Sequence, residues 1–130
     1  MANDPSPDTA IQFVSPKTKI HKFTDTILDK KIIFQIVNLE NSIMIYINNI
    51  DEPICNNLDL AMCTRFSSTP QTTSLIGAKA ESSGSNVAGR LAKKLNKTLY
   101  LSLNLEDSRF MVPLVEKRLI QEINQFPGKF

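Results

Sequence analysis

The sequence predicts an α+β fold, with a mostly antiparallel β-sheet of about six strands and two packed α-helices. Three patterns support this prediction. β-rich runs separated by short polar breaks fill residues 19–77, as expected of strands that pair with their sequence neighbours. An apolar stripe with helical spacing begins at Val87. Immediately after it, at Thr98, the apolar period changes from 3.6 to 2, which indicates a helix followed by a strand.

Length and composition limit the kinds of protein that this chain can be. With 130 residues, 42% of them hydrophobic, it has enough apolar material for one domain with a buried core. The formal net charge of +2 falls short of the excess expected of a dedicated nucleic-acid binder, so no nucleic-acid partner is predicted. There is no secretory pattern at the amino terminus and no segment near the ~20 apolar residues that cross a bilayer. We expect a cytoplasmic protein, with the nucleus as a second compartment, and no membrane partner.

The first residues differ in composition from the rest of the chain. Residues 1–16 contain Pro5, Pro7 and Pro16 among Asp, Ser and Asn, and bury too little apolar surface to offset chain entropy. The prediction is a disordered tail over residues 1–16 and a single domain over residues 17–130.

The β-rich runs have different predicted positions in the sheet. Residues 19–28 are polar enough for an edge strand, whereas residues 31–39 have apolar side chains at both parities, as expected of a strand covered on both faces. Residues 42–47 follow a short polar break and predict a hairpin. Residues 58–66 predict a central strand, Ser67–Pro70 a turn and residues 72–77 a further short strand.

The two predicted helices flank one more strand. The apolar stripe of the first consists of Val87, Ala88, Leu91, Ala92 and Leu95. Ser83 or Ser85 is the predicted amino cap, and Asn96 the left-handed residue that ends the helix. The strand at residues 98–105 alternates leucines with polar residues. The last helix is predicted to begin near Pro113 and to end before Pro127, with an apolar face formed by Val115, Leu119, Ile123 and Phe126.

A partial nucleotide-binding motif lies in the first helix. Gly84 and Gly89 have the glycine spacing of a phosphate-binding loop, but Arg90 replaces the required lysine and Leu91 replaces the hydroxyl residue. Leu91 also belongs to the apolar stripe, so a loop there would unpack the helix. We interpret this stretch as scaffold. The alternative is a nucleotide-binding enzyme that uses the Gly84–Leu91 loop.

No arrangement of side chains predicts catalysis, a metal or a cofactor. His21 is the single histidine, and we expect it to be a surface or edge residue with an ordinary hydrogen bond. Cys55 and Cys63 are expected to be small buried apolar residues in a reducing compartment. The acidic pairs Asp51–Glu52 and Glu106–Asp107 lie in predicted loops and are expected to be solvated. The prediction is a protein that is not an enzyme.

A basic set on the first predicted helix is the best candidate for a protein interface. It consists of Arg90, Lys93, Lys94 and Lys97. A charge run on a helix is often a solvated face, so that interpretation stays open. The functional interpretation is that these residues contact an acidic surface on another protein. A small nucleic-acid accessory protein, with Arg90, Lys93 and Lys94 on phosphates, is a further alternative, although no aromatic residues interleave with these cations.

Five segments in order resemble the proteasome assembly chaperone 4 family. They are LAMCTRF from Leu60, TSLIG from Thr73, NVAGRLAKKLNK from Asn86, SLNL from Ser102 and VEKRLIQEINQFPGKF from Val115. The resemblance is strong over the carboxyl-terminal half and lies more in pattern than in letters before Leu58. The tail before Lys17 lies outside it, and Pro113 departs from it.

The resemblance implies a function without catalysis. It implies a chaperone that pairs with proteasome assembly chaperone 3, helps the α-subunit ring of the 20S proteasome to assemble and leaves before maturation. The implied partners are that chaperone and the 20S α-subunits, with homodimerisation of the isolated chain left open. The family supplies no motif that transfers contacts to single residues of this chain.

Overall fold

The computed structural model describes residues 11–77, 83–105 and 108–130, with side chains from 84 and 110 onward in the last two ranges. The tail predicted over residues 1–16 lies partly outside these ranges, and so do Glu106 and Asp107. The elements are β1 (Lys19–Ile27), β2 (Lys30–Asn38), β3 (Ser42–Asn49), β4 (Leu58–Thr64), β5 (Ser67–Ile76), α1 (Ser83–Leu95), β6 (Thr98–Asn104), α2 (Ser108–Gln125) and a final 3₁₀ turn, Pro127–Lys129.

The strands form one sheet of six in the order β1-β2-β3-β6-β4-β5. Every pair is antiparallel except β3 with β6, which run parallel from Ser42 opposite Thr98. The predicted α+β class is therefore confirmed. Two hairpin-linked units, β1 to β3 and β4 with β5, lie on either side of β6. Because β6 comes from a distant part of the chain, the strand pattern alone does not reveal this order.

Both described helices pack on the same face of the sheet. Inward residues of the strands, among them Phe34, Ile45 and Leu101, form one buried cluster with the apolar stripes of the helices. The predicted α1 stripe is confirmed, since Val87, Ala88, Leu91 and Ala92 are all buried and Leu95 packs against the cluster. Asn96 ends the helix at φ 52°, and the N–H of Lys97 donates to the Ala92 carbonyl at 3.4 Å.

The turn between β4 and β5 differs from the prediction. The strand predicted at 58–66 ends at Thr64, and Arg65 and Phe66 form the turn. Ser67–Pro70, predicted as a turn, belongs to the edge strand β5. The register is interrupted between Met62 and Thr64, and Pro70 is compatible with a strand because it lies on an edge beside this irregularity.

The start of the last helix also differs from the prediction. α2 begins at Ser108, so Pro113 lies inside it rather than in its first turn. The additional turn brings Met111 and Val112 into the core, where they are 3% and 6% exposed. Their burial offsets the hydrogen bond that Pro113 cannot donate, and the Pro113 ring itself faces solvent. The helix ends before Pro127, as predicted, while Phe126 lies beyond it and remains 41% exposed.

Candidate interaction surfaces

The predicted basic set does not act as one group of free cations. Arg90 donates two hydrogen bonds of 2.7 Å to the carboxylate of Glu116 on α2. These hydrogen bonds raise the pKa of the Arg90 guanidinium, with burial opposing and the charge of Glu116 assisting. Arg90 thus links α1 to α2 across the top of the core. An exposed pair of this kind contributes about 0.2–1 kcal/mol to stability.

The three lysines of the basic set lie around the end of α1. Lys93 and Lys94 are exposed in its last turn, and Lys97 is half-buried just after it. Lys93 and Arg90 also line a groove of about 290 Å³ with Thr69, Pro70 and Thr72 of β5. The lysines are placed to meet a carboxylate surface, and their role at an interface stays a prediction.

The partial nucleotide-binding motif is helical in the structure. Gly84 to Leu91 all lie within α1, and Leu91 is only 1% exposed beneath it. A phosphate loop needs an unpaired backbone that wraps around the ligand, whereas these residues are part of a packed helix. Gly89 approaches β5: a Cβ at this position would lie 3.4 Å from Cγ2 of Thr72. The scaffold interpretation therefore fits this geometry better than the phosphate-loop alternative.

A cluster of charged and aromatic side chains joins α2 to the edge strand β1. His21 Nε2 lies 3.1 Å from Oε1 of Glu122, and Arg118 donates to Glu122 and to Asp25 at 2.8 Å each. The Arg118 guanidinium also lies over the ring of Phe23, 4.8 Å from its centroid. The predicted hydrogen bond of His21 is therefore present, although its side chain is only 19% exposed.

Glu122 is the buried centre of this cluster, since its side chain is 5% exposed. Burial opposes its ionisation, but hydrogen bonds from Arg118 and His21 outweigh that effect and hold the pKa of its carboxyl below its ordinary value. Through His21, and through Arg118, which also binds Asp25, Glu122 fixes α2 against β1. A hollow of about 300 Å³ lies beside the cluster and is lined in part by Asp25, Lys117 and Arg118. Asp25 and Arg118 are already paired with each other and Glu122 does not line this hollow, so we interpret the cluster as structural.

The prediction that both cysteines are buried is wrong. Cys55 and Cys63 are exposed free thiols. Cys63 donates to the Ala92 carbonyl at 3.3 Å, and Cys55 lies 3.5 Å from the Ser102 hydroxyl. Cys63 follows the last residue pair that joins β4 to β6, so its side chain reaches the rim of the core rather than its centre. The acidic pair Asp51–Glu52 is exposed, as predicted.

Among residues 11–77, 83–105 and 108–130, no group of three or more His, Cys, Asp or Glu side chains could hold a metal ion. In the same part of the chain, no helix is both long enough and apolar enough to cross a membrane.

The face of the sheet opposite the helices carries a continuous row of outward-facing residues. Strand register places one residue of every strand in this row, which runs Ile20, Val37, Met44, Tyr100, Leu60 and Thr73. Five of the six are apolar or aromatic. Val37, Met44, Tyr100 and Leu60 are half-buried only by their neighbours, and Ile20 is 61% exposed. We call these six residues the outer row.

A shallow hollow lies within this outer face. Val37 and Met44 of the outer row line it together with Gln35 and Tyr46, and its volume is about 260 Å³. Gln35 lies opposite Tyr46 and Val37 lies opposite Met44, so the hollow extends across both β2 and β3. A row of apolar side chains across a sheet face that neither described helix covers is typical of a surface that binds another protein.

The loop between β3 and β4 bounds this open face at one end. It crosses the carboxyl end of β6, where the Ile54 carbonyl accepts hydrogen bonds from Tyr46 and Asn48 at 2.8 and 2.9 Å. The Asn104 side-chain oxygen accepts from the N–H groups of residues 56 and 57, and Ser102 donates to the carbonyl of residue 57 at 2.7 Å. The loop thereby buries Ser102 and Asn104, two of the polar residues that alternate with leucines along β6. The open face is limited to the rest of the sheet.

The outer row was missed in the sequence because β2 was expected to be covered on both faces. That expectation holds for the inner face alone, since Ile33 and Val37 point away from both described helices. Two predicted helices are too few to cover both sides of a sheet of about six strands. Apolar residues at both parities of the central strands were therefore the signal for an uncovered face.

Comparison with known proteins gives concordant results. Residues 31–105 match the family model described as Proteasome assembly chaperone 4. The chain is 35% identical over 113 residues to proteasome assembly chaperone 4 of Homo sapiens, which covers 85% of this chain and 89% of the human protein. It is 34% identical to the Mus musculus protein of the same name, with the same coverage.

A solved structure has the same fold. One chain of the structure described as "Crystal Structure of a Novel Chaperone Complex for Yeast 20S Proteasome Assembly" superposes with a TM-score of 0.65. The match covers 83% of this chain and 96% of the yeast chain at 12% sequence identity, and it concerns the fold alone.

Proposed function

This chain belongs to the proteasome assembly chaperone 4 family, and we propose that it is a non-enzymatic chaperone that pairs with proteasome assembly chaperone 3 to assist assembly of the 20S α-ring. It acts in the cytoplasm and the nucleus. Its partners are the second chaperone, held stably, and the α-subunits, bound transiently.

The outer row is the observation that carries this proposal. A six-stranded sheet with both described helices on one side leaves a face about 25 Å across, from the spacing of six strands, and the outer row crosses it. Covering this face with the corresponding surface of another subunit would pack two sheets face to face, with the helices of each subunit on the outside, so that both faces of each sheet are covered. The yeast chain of the same fold comes from a chaperone complex, which supports a protein partner of this kind.

The α-subunits would contact a different part of the chain. Lys93 and Lys94 lie on the helix side of the sheet, opposite the outer row, and remain exposed when that row is covered. A partner with carboxylates at its surface would complement them. One chain could therefore hold a second chaperone on one side and an assembling subunit on the other.

A single substitution in the outer row tests the pairing. Met44→Glu places a charge at the middle of the proposed interface and should abolish co-purification with proteasome assembly chaperone 3 after co-expression. Because Met44 points away from the core, the variant should remain folded by circular dichroism. The matched control is Gln121→Glu, which introduces the same side chain on the exposed surface of α2 and should pair normally.

The outcomes separate two errors. If the wild-type chain recovers neither a second chaperone nor α-subunits from low-salt extracts, the proposed function is wrong. If the wild-type pairs and Met44→Glu pairs with equal affinity, the function stands and the partner binds elsewhere. Calorimetry with ATP and GTP in the presence of magnesium tests the phosphate-loop alternative, for which we expect no saturable heat.

A further inference from the structure

The tip of the β4–β5 hairpin presents an aromatic side chain to solvent. Phe66 is 97% exposed and forms the two-residue turn with Arg65. Turn positions usually hold Gly, Asn, Asp, Ser or Pro, each for a backbone or hydrogen-bonding reason. Neither Arg65 nor Phe66 has a positive φ, so a polar residue would satisfy this turn equally well. Formation of the hairpin therefore does not explain a phenylalanine at its tip.

Chain direction places this tip beside the lysines at the end of α1. β4 runs antiparallel to β6, so β4 ends where β6 begins, directly after Lys97. The hydrogen bond from Cys63 to the Ala92 carbonyl fixes the end of β4 to the last turn of α1. Lys93 shares a groove with Thr69 and Pro70, which follow the tip in β5.

The charges around the tip have one sign. Its described cations are Arg65, Lys93, Lys94 and Lys97, whereas the nearest carboxylate on α2, Glu116, is already paired with Arg90. Glu40 lies at the same end of the sheet, but in the β2–β3 turn, three strand spacings or about 14 Å away. An apolar tip within a basic surface is complementary to an apolar pocket bordered by carboxylates.

The tip is also separate from the outer row. Leu60 of that row lies six residues before Phe66 on the same hairpin, a distance of about 20 Å along an extended strand. A partner that covers the middle of the sheet therefore leaves the tip free. The two surfaces can be occupied at the same time by different proteins.

We propose that Phe66 inserts into an apolar pocket on an acidic surface of a 20S α-subunit, with Arg65, Lys93 and Lys94 at the rim of the contact. This inference rests on the proposed function and names the residue that anchors its transient partner. A buried aromatic anchor surrounded by contacts that exclude water is the usual composition of an interface hot spot. The rim cations would accelerate association, and the phenylalanine would slow dissociation.

The test measures binding of the intact chaperone pair to purified α-subunits by biolayer interferometry. The chain is co-expressed with proteasome assembly chaperone 3 as wild-type, Phe66→Ala or Phe110→Ala. Phe66→Ala should weaken α-subunit binding about tenfold or more, mainly through faster dissociation. The melting temperature and the pairing of the two chaperones should stay unchanged, because Phe66 is 97% exposed and lies away from the outer row. Phe110→Ala is the matched control, since Phe110 is 65% exposed on α2 at the opposite end of the sheet.

Each other outcome overturns the inference in a distinguishable way. Equal α-subunit binding by wild-type and Phe66→Ala would show that the tip is not the anchor, while the proposed function stands. Loss of chaperone pairing in Phe66→Ala would show that the tip contacts proteasome assembly chaperone 3 and not an α-subunit. If the wild-type pair binds none of the α-subunits at about 50 mM salt, the proposed function and the inference both fail.

Discussion

Glu122 shows how much a single buried carboxylate can depend on its partners. Its side chain is nearly inaccessible, yet Arg118 and His21 keep it ionised by donating to both of its oxygens. A buried charge is tolerated only when its hydrogen-bonding capacity is filled in this way. The sequence does not predict this contact, because Glu122 and His21 are 101 positions apart and only the packing of α2 on β1 brings them together.

The substitution Glu122→Gln should make stability less sensitive to acid. The folded-state pKa of Glu122 lies below its ordinary value of 4.5, so its carboxylate stabilises the fold above that pH. That contribution is lost as pH falls through the lower, folded-state pKa. At pH 7 the variant should be less stable by about 1–3 kcal/mol in urea unfolding. The difference from wild-type should shrink as the pH falls below 4.5 toward the folded-state pKa.

Glu116→Gln is the control for this prediction. It removes the same charge from the same helix, but from a pair with the exposed Arg90. The expected loss is below about 1 kcal/mol at neutral pH. Equal losses in the two variants would contradict a special contribution from the buried cluster.

At the scale of elements, α2 combines a favourable apolar face with an unfavourable residue. Pro113 is the sixth residue of the helix, so it cannot donate the hydrogen bond expected of that position. The first turn is retained because Met111 and Val112 are buried beneath it. Packing therefore determines where this helix begins, against the local preference of the chain.

The substitution Pro113→Ala should stabilise the protein. It restores a backbone N–H donor inside α2 and changes an exposed side chain, so no buried contact is lost. We expect a gain of about 1–2 kcal/mol, smaller than the full cost of an interior proline because the flexible unfolded chain also gains entropy. Differential scanning calorimetry should show a higher melting temperature. A lower melting temperature would mean that the proline ring makes a stabilising contact.

Local patterns predicted the elements better than their boundaries or their neighbours. The α1 stripe and the alternation of β6 arise from contacts with one continuous core, so both can be seen in a short window of sequence. The β4–β5 turn was misplaced because Ser67 to Pro70 has turn composition, although an irregular edge strand accommodates the same residues. The outer row required knowledge of strand order, which depends on the insertion of β6.

At the scale of the whole molecule, charge and apolar surface are distributed over different sides. The outer row lies on the face without helices, the lysines lie on the helix side, and the polar loop from β3 to β4 closes one end. The sequence predicted an interface at Arg90 and the three lysines, but it did not show that Arg90 is engaged by Glu116. Tertiary contacts alone distinguish a paired cation from one available to a partner.

Charge reversal at the lysines should affect binding without affecting folding. Lys93→Glu combined with Lys94→Glu should slow association of the chaperone pair with α-subunits about tenfold or more at low salt. The effect should decrease as salt is raised, and the melting temperature should change little because both side chains are exposed. The control, Lys93→Arg with Lys94→Arg, keeps the charge and should associate at the wild-type rate. Unchanged association in the reversed variant would remove these lysines from the interface.

The position of β6 between β3 and β4 has a consequence for how the chain reaches its native state. During synthesis β1 to β3 and the β4–β5 hairpin emerge first, and each keeps an unpaired strand edge until residues 98–104 are available. Pairing β3 with β6 closes a loop of about 50 residues, a non-local step that slows folding. Until β6 arrives, the nascent protein exposes the edges of β3 and β4 in addition to the β1 and β5 edges that remain in the native sheet, and the edges of β3 and β4 can pair with other chains. Its yield in cells therefore depends on how quickly the last strand is added.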